Sequence, residues 1–327
     1  MKSPFTGGEA QLIREQRELI FRKEKFSYIA HYYRCVDTSE QFTTTELDTL
    51  NINQVYNQYR VKYGIPFPDE IQKIRELYGL PASKMSEILG LGANQYRLYE
   101  NGEMPSEAIG KTLKSIMNPT VFATYVRNAE NQFEKKEYDS ICEKLERSSA
   151  KYNDLQLRSG IFQVEDRSTI TGYAPQSYSR VKNVILYYIA KLGGVFSTKM
   201  NKLLFYTDFL SYKNYGVGIT GLSYKAIQYG PVPERWNVIY GSIDDIKTEI
   251  IAFPSGNSGE KLCSDIEPDM QEFSKADVDI LEAVIMKFQN VTANDISAIS
   301  HNEDAWLKYK DTNSNIDYNE AFALKAL

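Results

Sequence analysis

Histidine is almost missing from this chain: two among 327 residues, His31 and His301. That scarcity removes most metal and acid–base frameworks built on paired histidines; there is no His-Glu-x-x-His. Neither a Gly-x-Ser-x-Gly elbow nor a phosphate-binding loop with its leading glycine before Gly-Lys-Ser/Thr is present. Cysteine is scarce too, with Cys35, Cys142 and Cys263 alone. Three thiols cannot make a disulfide framework, which fits a reducing compartment. Long apolar runs are absent: the first residues carry no signal core, and Val184 to Ala190 is far short of a membrane span. The expectation is a soluble, cytoplasmic protein with no membrane partner. Basic excess is lacking as well, since the net charge is −5 and the pI is near 5.4. Any contact with nucleic acid must therefore be local and geometric. Gly90-Leu91-Gly92-Ala93-Asn94-Gln95 lacks the third glycine of a dinucleotide fingerprint and follows no parallel-sheet strand, so that site is discarded. No cofactor and no metal are expected.

Tyrosine is abundant, at 24 residues. An apolar ring with a polar tip suits interfaces, which tilts the composition towards a binding protein over an enzyme. The expected class is α+β, mainly helical. A small N-terminal β ribbon is followed by a cluster of short helices and by a helical C-terminal domain with a small sheet. Strand-like stretches occupy residues 11–13, 18–21 and 28–35, and a helical period sets in from Asp48. Between residues 69 and 117 short helices succeed one another. Ser83 is read as the cap of one, Gly90-Leu91-Gly92 as a turn, Ala93 to Glu100 as the next, and Pro105-Ser106 as the start of another. This is the grammar of a helix-turn-helix. Residues 121–146 read as one polar helix, and 148–177 as the principal linker. Further on, a helix from Tyr178 closes at Gly193-Gly194, and Ser197 is read as capping the next, which runs to Tyr215. Pro233 is read as the start of a helix carrying Trp236, and a hairpin turns across Ser255–Gly259. Ser274 and Thr292 cap two further helices. The domain expectation is 1–60, 61–120, 121–177 and 178–327.

Three resemblances attach to these residues. Met1-Lys2-Ser3-Pro4-Phe5-Thr6-Gly7-Gly8 and Tyr33-Arg34-Cys35-Val36-Asp37-Thr38 resemble the frame of an MqsA-type antitoxin's zinc ribbon. Ser3, Thr6 and Thr38 stand where that family has thiolates, and only Cys35 keeps one. Hydroxyls do not replace soft ligands, so the ribbon is expected to be metal-free, with His31 a spare candidate. Gly92-Ala93-Asn94-Gln95-Tyr96-Arg97-Leu98-Tyr99-Glu100-Asn101-Gly102 is similar to the same family's recognition helix. The resemblance puts Asn94 at a base-reading position, while Leu98 occupies the arginine position and Arg97 precedes it. The DNA-contacting set is accordingly Asn94, Gln95 and Arg97, with Ser83 and Lys84 reaching phosphate. Residues 69–117 hold six basic and seven acidic side chains, which weighs against this assignment.

The third resemblance is the most specific. Lys202-Leu203-Leu204-Phe205-Tyr206-Thr207-Asp208-Phe209, Tyr215-Gly216, Ile219-Thr220-Gly221, Tyr229-Gly230-Pro231-Val232-Pro233 and Ser300-His301-Asn302-Glu303-Asp304-Ala305-Trp306 are similar, in order and spacing, to the Panacea domain of SocA-like antitoxins. That resemblance implies neutralisation of a partner toxin by binding, without catalysis. Tyr206, Asp208, Tyr229, Pro231 and Trp236 are the expected toxin contacts. Lys202 and Asp208, six positions apart on one helix, are expected to have separate capping or surface roles. The full expectation is an antitoxin that binds its cognate toxin and its own operator DNA, a homodimer being the arrangement that reads two half-sites. The alternatives are a transcription regulator or a proteolytic adaptor without a toxin. A hydrolase using Ser300, His301 and Glu303 ranks last, because adjacency in sequence supplies no oriented base.

Overall fold

The computed structural model describes residues 1–162, 166–254 and 256–327. Residues 163–165, inside the expected linker, and Ser255, inside the expected hairpin turn, lie outside the described residues. The fold is mainly helical α+β with small antiparallel sheets. The chain begins with strands β1 (Ala10–Phe21), β2 (Glu24–Cys35) and β3 (Gln41–Phe42), followed by helix α1 (Thr45–Tyr63). Helices α2 (Pro68–Tyr78), α3 (Ala82–Ile88), α4 (Gln95–Glu100), α5 (Glu107–Ser115), α6 (Pro119–Asn128) and α7 (Lys135–Arg158) come next. Beyond them are α8 (Tyr178–Leu192), β4 (Val195–Phe196), α9 (Ser197–Tyr215), β5 (Tyr224–Ile227), β6 (Gly230–Pro233) and α10 (Trp236–Gly241). The last elements are β7 (Lys247–Ala252), β8 (Ser258–Cys263), α11 (Lys275–Phe288), α12 (Ala293–Ser300), α13 (Asp304–Leu307) and a 3-10 turn at Tyr318–Ala323. No helix among the described residues is long and apolar enough to cross a membrane.

Several local expectations need correction. Pro81 and Phe196 occupy the cap positions of α3 and α9, so Ser83 and Ser197 lie inside the first turns. The single polar helix expected over 121–146 is two helices, because a 3-10 turn at Glu130–Gln132 intervenes before α7. α7 then runs through the first third of the expected linker. Pro233 starts no helix: it ends β6, whose register pairs Tyr224 with Pro233 and Ile227 with Gly230. Ser274 and Thr292 do cap α11 and α12, accepting from the Asp277 and Asp295 amides.

The chain divides into two compact units, one of residues 1–15, 30–53 and 159–327, the other of residues 16–29 and 54–158. In the second, one core gathers Ile71, Ile74, Tyr78, Met85, Tyr96, Leu113, Phe122, Val126 and Ile141 from α2 to α7. Tyr78 stacks on Phe122 at 4.1 Å and donates its hydroxyl to the Ile116 carbonyl at 2.5 Å. A smaller core joins Phe26, Val55, Tyr59 and Ile65. The turn between β1 and β2 uses Arg22 and Lys23 at φ 47° and 70°, values that glycine or asparagine would adopt more readily. Arg22 is held by bonds from its guanidinium to the Met104 and Pro105 carbonyls, both 2.9 Å, and lies over the Phe21 and Tyr59 rings. Gln54 of α1 bonds both backbone groups of Ile29, and Gln58 takes the Ser27 carbonyl.

In the first unit, Asn51 of α1 makes the same double bond to the backbone of His31, at 2.8 and 2.9 Å. α9 is the centre of this unit, packed by α8, α11, α12, β4, β6, β8 and the final 3-10 turn. Fourteen of its side chains are buried, from Ser197 to Tyr212, so it is covered on every side. β7 and β8 form a hairpin completed by β4, and β5 and β6 make a second sheet.

Candidate functional site

Three groups of residues carry chemistry. The first lies on α3 and α4. Asn94 occupies the cap position of α4 with no capping bond from its side chain, and it is exposed, as are Arg97 and Ser83. Leu98 beside them is 42% exposed, a large apolar residue turned to solvent. Tyr96 fixes the helix from beneath: its amide donates to Ser86 Oγ and its hydroxyl to the Ile71 carbonyl. Gln95 donates to Glu103 at 2.9 Å. Lys84 is the departure from expectation. Its ammonium sits 2.7 Å from both Glu87 and Glu137 and over the Phe133 ring. Hydrogen bonds to Glu137 and then Glu87 hold its pKa above the lysine norm, so its charge is compensated within this unit. The structure presents Asn94, Arg97 and Ser83 outward, and turns Lys84 and Gln95 to acidic neighbours.

The second group is the ribbon. Ser3 is buried, and Thr6 Oγ1 lies 3.6 Å from Cys35 Sγ while donating to Asp37 at 2.7 Å. Side-chain bonds from Ser3 and Thr38, with Thr6 adding to them, lower the Cys35 thiol to about 6 against the opposing effect of burial. The four positions named from sequence therefore do converge. Hydrogen-bond donors around one thiolate replace a tetrahedron of ligands. Among the described residues no group of three or more His, Cys, Asp or Glu could hold a metal ion. His31, the spare candidate, is buried with its ring edge-on to Phe322 at 4.5 Å.

The third group surrounds α9. Asp208 is fully buried and accepts four bonds: the amides of Ile219 and Thr220 at 2.7 and 2.8 Å, and the hydroxyls of Thr220 and Tyr224 at 2.5 and 2.6 Å. Burial pushes its carboxyl up, and these donors oppose the rise. Glu303, between α12 and α13, is equally enclosed. It accepts from Tyr206 at 3.2 Å and from the amides of Lys325 and Ala326 at 2.8 and 3.0 Å. Arg180 finds the carbonyls of Ile219 and Glu272, the Asp277 carboxylate and the Phe273 ring. Lys202 differs from all of these. It has no exposed surface, its Nζ has no hydrogen-bond partner among the described residues, and burial lowers its pKa to about 7. Lys202 and Asp208 thus have separate surroundings, but both are fully buried, so neither has the surface role expected of it.

The turn between β5 and β6 lies against Lys202. A Cβ on Gly230 would fall 2.6 Å from Ser300 Oγ and 3.2 Å from Lys202 Nζ, and the residue's φ is +100°. Only glycine closes the turn this tightly over the amine. His301 stacks on Trp306 at 4.2 Å, and Trp306 Nε1 donates to the Ile227 carbonyl at 2.7 Å, tying α13 to the turn. His301 Nε2 is buried without a hydrogen-bond partner among the described residues; burial, and secondarily Lys202, lower the imidazole's pKa, and a hydrogen bond with the Gln228 backbone opposes them. Of the expected toxin contacts, Tyr206, Asp208 and Pro231 are buried and offer no surface in this conformation. Tyr229, at the turn, is 63% exposed, and Trp236 is half-buried beside Tyr240. Sequence reasoning named Lys202, Ser300 and His301 but could not bring them together, since about a hundred residues separate them along the chain.

No curated protein and no solved structure matches the chain. A family model does, inside the 178–327 span expected from sequence. Residues 200–307 match the family described as antitoxin SocA-like, Panacea domain, and Lys202, Asp208, the β5–β6 turn, His301 and Trp306 all lie within that match.

Proposed function

We propose that this chain is an antitoxin which neutralises a partner toxin by direct binding through residues 178–327, without catalysis or cofactor. The match of residues 200–307 to the SocA-like Panacea family carries the reading. Exposed Tyr229 and half-buried Trp236 are the anchors of the expected kind, an aromatic body with a polar tip. Repression of its own operon is assigned to α3 and α4 as a helix-turn-helix, with Asn94 and Arg97 at base edges. Co-expression with the product of the neighbouring gene tests neutralisation. Growth arrest by that product alone, relieved when this chain is present, is the expected result; a harmless neighbour, or one equally toxic with this chain present, removes the antitoxin reading.

A second reading has one observation in its favour. Lys84 is paired with two carboxylates, and the surrounding residues are slightly acidic in sum, which suits a helical surface for protein contact. On that reading the chain is an adaptor that presents a partner to a protease. Partner half-life, rather than partner activity, then responds to its presence.

A further inference from the structure

β1 is the edge strand of its sheet, whose order is β1-β2-β3. Three observations fix which of its backbone groups face away from β2. The two-residue turn at Arg22 and Lys23, both at positive φ, makes Phe21 and Glu24 the closing bonded pair. Near the other end the Val36 amide donates to the Glu9 carbonyl at 3.0 Å, in the same register, so no bulge intervenes. Odd-numbered residues of β1 therefore bond β2. The Ala10 amide points the other way, to the Met1 carbonyl at 2.9 Å, and the even-numbered residues follow it. Beyond Ala10 the outward residues are Leu12, Arg14, Gln16, Glu18 and Ile20. All five are exposed, and none of their backbone groups bonds another segment among the described residues. Neither a proline nor a bulge blunts this edge. We propose that β1 is the self-association surface of this chain, pairing antiparallel with β1 of a second copy about a two-fold axis at Gln16.

Side-chain complementarity names the occupant. With the axis at Gln16, Arg14 of each copy lies opposite Glu18 of the other, Leu12 opposite Ile20, and Gln16 opposite itself. On the other face Ile13 lies opposite Leu19. Opposite charges and apolar pairs directly across an antiparallel ladder stabilise it, and like charges there destabilise it. The neighbouring registers fail this test. An axis at residue 15 sets Leu12 against Glu18, and one at residue 17 sets Arg14 against Ile20. At residue 14 or 18, Arg14 or Glu18 meets its own kind. A strand that complements itself in a single register is built for a second copy of the same chain. Leu12 and Ile20, 39% and 68% exposed, would cover each other. The five bonded pairs would supply about ten backbone hydrogen bonds. Glu18 already meets Lys25 through Oε2 at 3.2 Å, but both side chains are exposed, and Oε1 is left for the second copy's Arg14.

Sedimentation of the full chain at micromolar concentration tests the surface, and a dimer is expected. Arg14→Glu and Glu18→Arg each put like charges across both symmetric contacts, and each should raise the dissociation constant about tenfold. The two variants mixed should form a heterodimer, because every such contact is then of opposite sign. The double variant Arg14→Glu/Glu18→Arg should regain the natural affinity for the same reason. These substitutions alter exposed side chains alone, so an unchanged circular dichroism spectrum separates dissociation from misfolding. Gln16→Cys, on the axis, should cross-link two copies under mild oxidation, whereas Arg14→Cys should not. A monomer, a dimer indifferent to both charge reversals, or a double variant no tighter than the singles overturns the proposal. A monomer whose β1 amides gain protection from hydrogen exchange only when the neighbouring gene's product is added also overturns it, and gives the edge to a strand of that partner. The dimer does not depend on the antitoxin reading. Neutralisation by a monomer would remove only the dimer, and a dimer that neutralises nothing would remove only that reading.

Discussion

Lys202 and Asp208 sit on one helix, both fully buried, and satisfy opposite conditions. Asp208→Ala would leave two amides and two hydroxyls facing nothing, and is expected to cost about 3–5 kcal/mol in urea unfolding. Lys202→Met should do the reverse and stabilise, because it removes a buried amine that has no hydrogen-bond partner among the described residues. The sign of the pH dependence is fixed by the direction of the shift. Burial brings the folded amine down to about 7 from the ordinary lysine value of 10.5. Between those values the unfolded chain holds a proton that the folded chain lacks, so stability rises as pH climbs through that window. Below about pH 7 both states are protonated and the penalty is complete, on the order of a few kcal/mol. The advantage of Lys202→Met over the natural chain should therefore shrink from pH 7 towards pH 10. A difference constant with pH would mean that Lys202 is protonated in the folded state throughout.

Among elements, the ribbon and α4 carry the clearest expectations. Hydroxyls and one thiolate hold the ribbon turns together, so a chelator should leave the melting temperature unchanged and elemental analysis should find no stoichiometric zinc. One zinc per chain would show that the ligands had been misread. On α4, Asn94→Ala and Arg97→Ala remove exposed side chains without touching the core, so folding should be unaffected. If the helix reads an operator, each relaxes discrimination by about 1–3 kcal/mol in a gel-shift series over altered sites. Unchanged affinity in both variants assigns α4 to another partner. Most elements were legible from period and caps, since Ser106, Ser274 and Thr292 each signal a helix start and each accepts an amide in the structure. Ser83 and Ser197 sent the same signal from inside a helix, because Pro81 and Phe196 supply the extended residue without a capping side chain. Pro233 was misread because a proline suits a strand end as well as a helix start, and only the partner strand decides.

Across the whole chain, sequence order and spatial grouping part company. One compact unit takes residues 1–15 and 30–53 as well as 159–327, a composition that no local pattern announces. The same limit applies to the site around α9. The types Lys202 and Ser300 could be read directly, yet their meeting under one glycine turn depends on packing between segments far apart in the chain. Recognition of the Panacea segment succeeded for the opposite reason: its motifs are short, ordered and dense between residues 200 and 307. The expectation at this scale is a partner-dependent phenotype. Tyr229→Ala and Trp236→Ala should weaken toxin capture in a pull-down while leaving thermal stability nearly unchanged, whereas Tyr206→Phe, which is buried, should alter stability first.

Glu303 ties residues 325 and 326 to the junction of α12 and α13, through the amides of Lys325 and Ala326. A stop introduced after Leu324 would leave that buried acid with Tyr206 as its one partner among the described residues. Loss of those two amides should then register as an internal lesion, loosening the centre of this unit from its edge inwards.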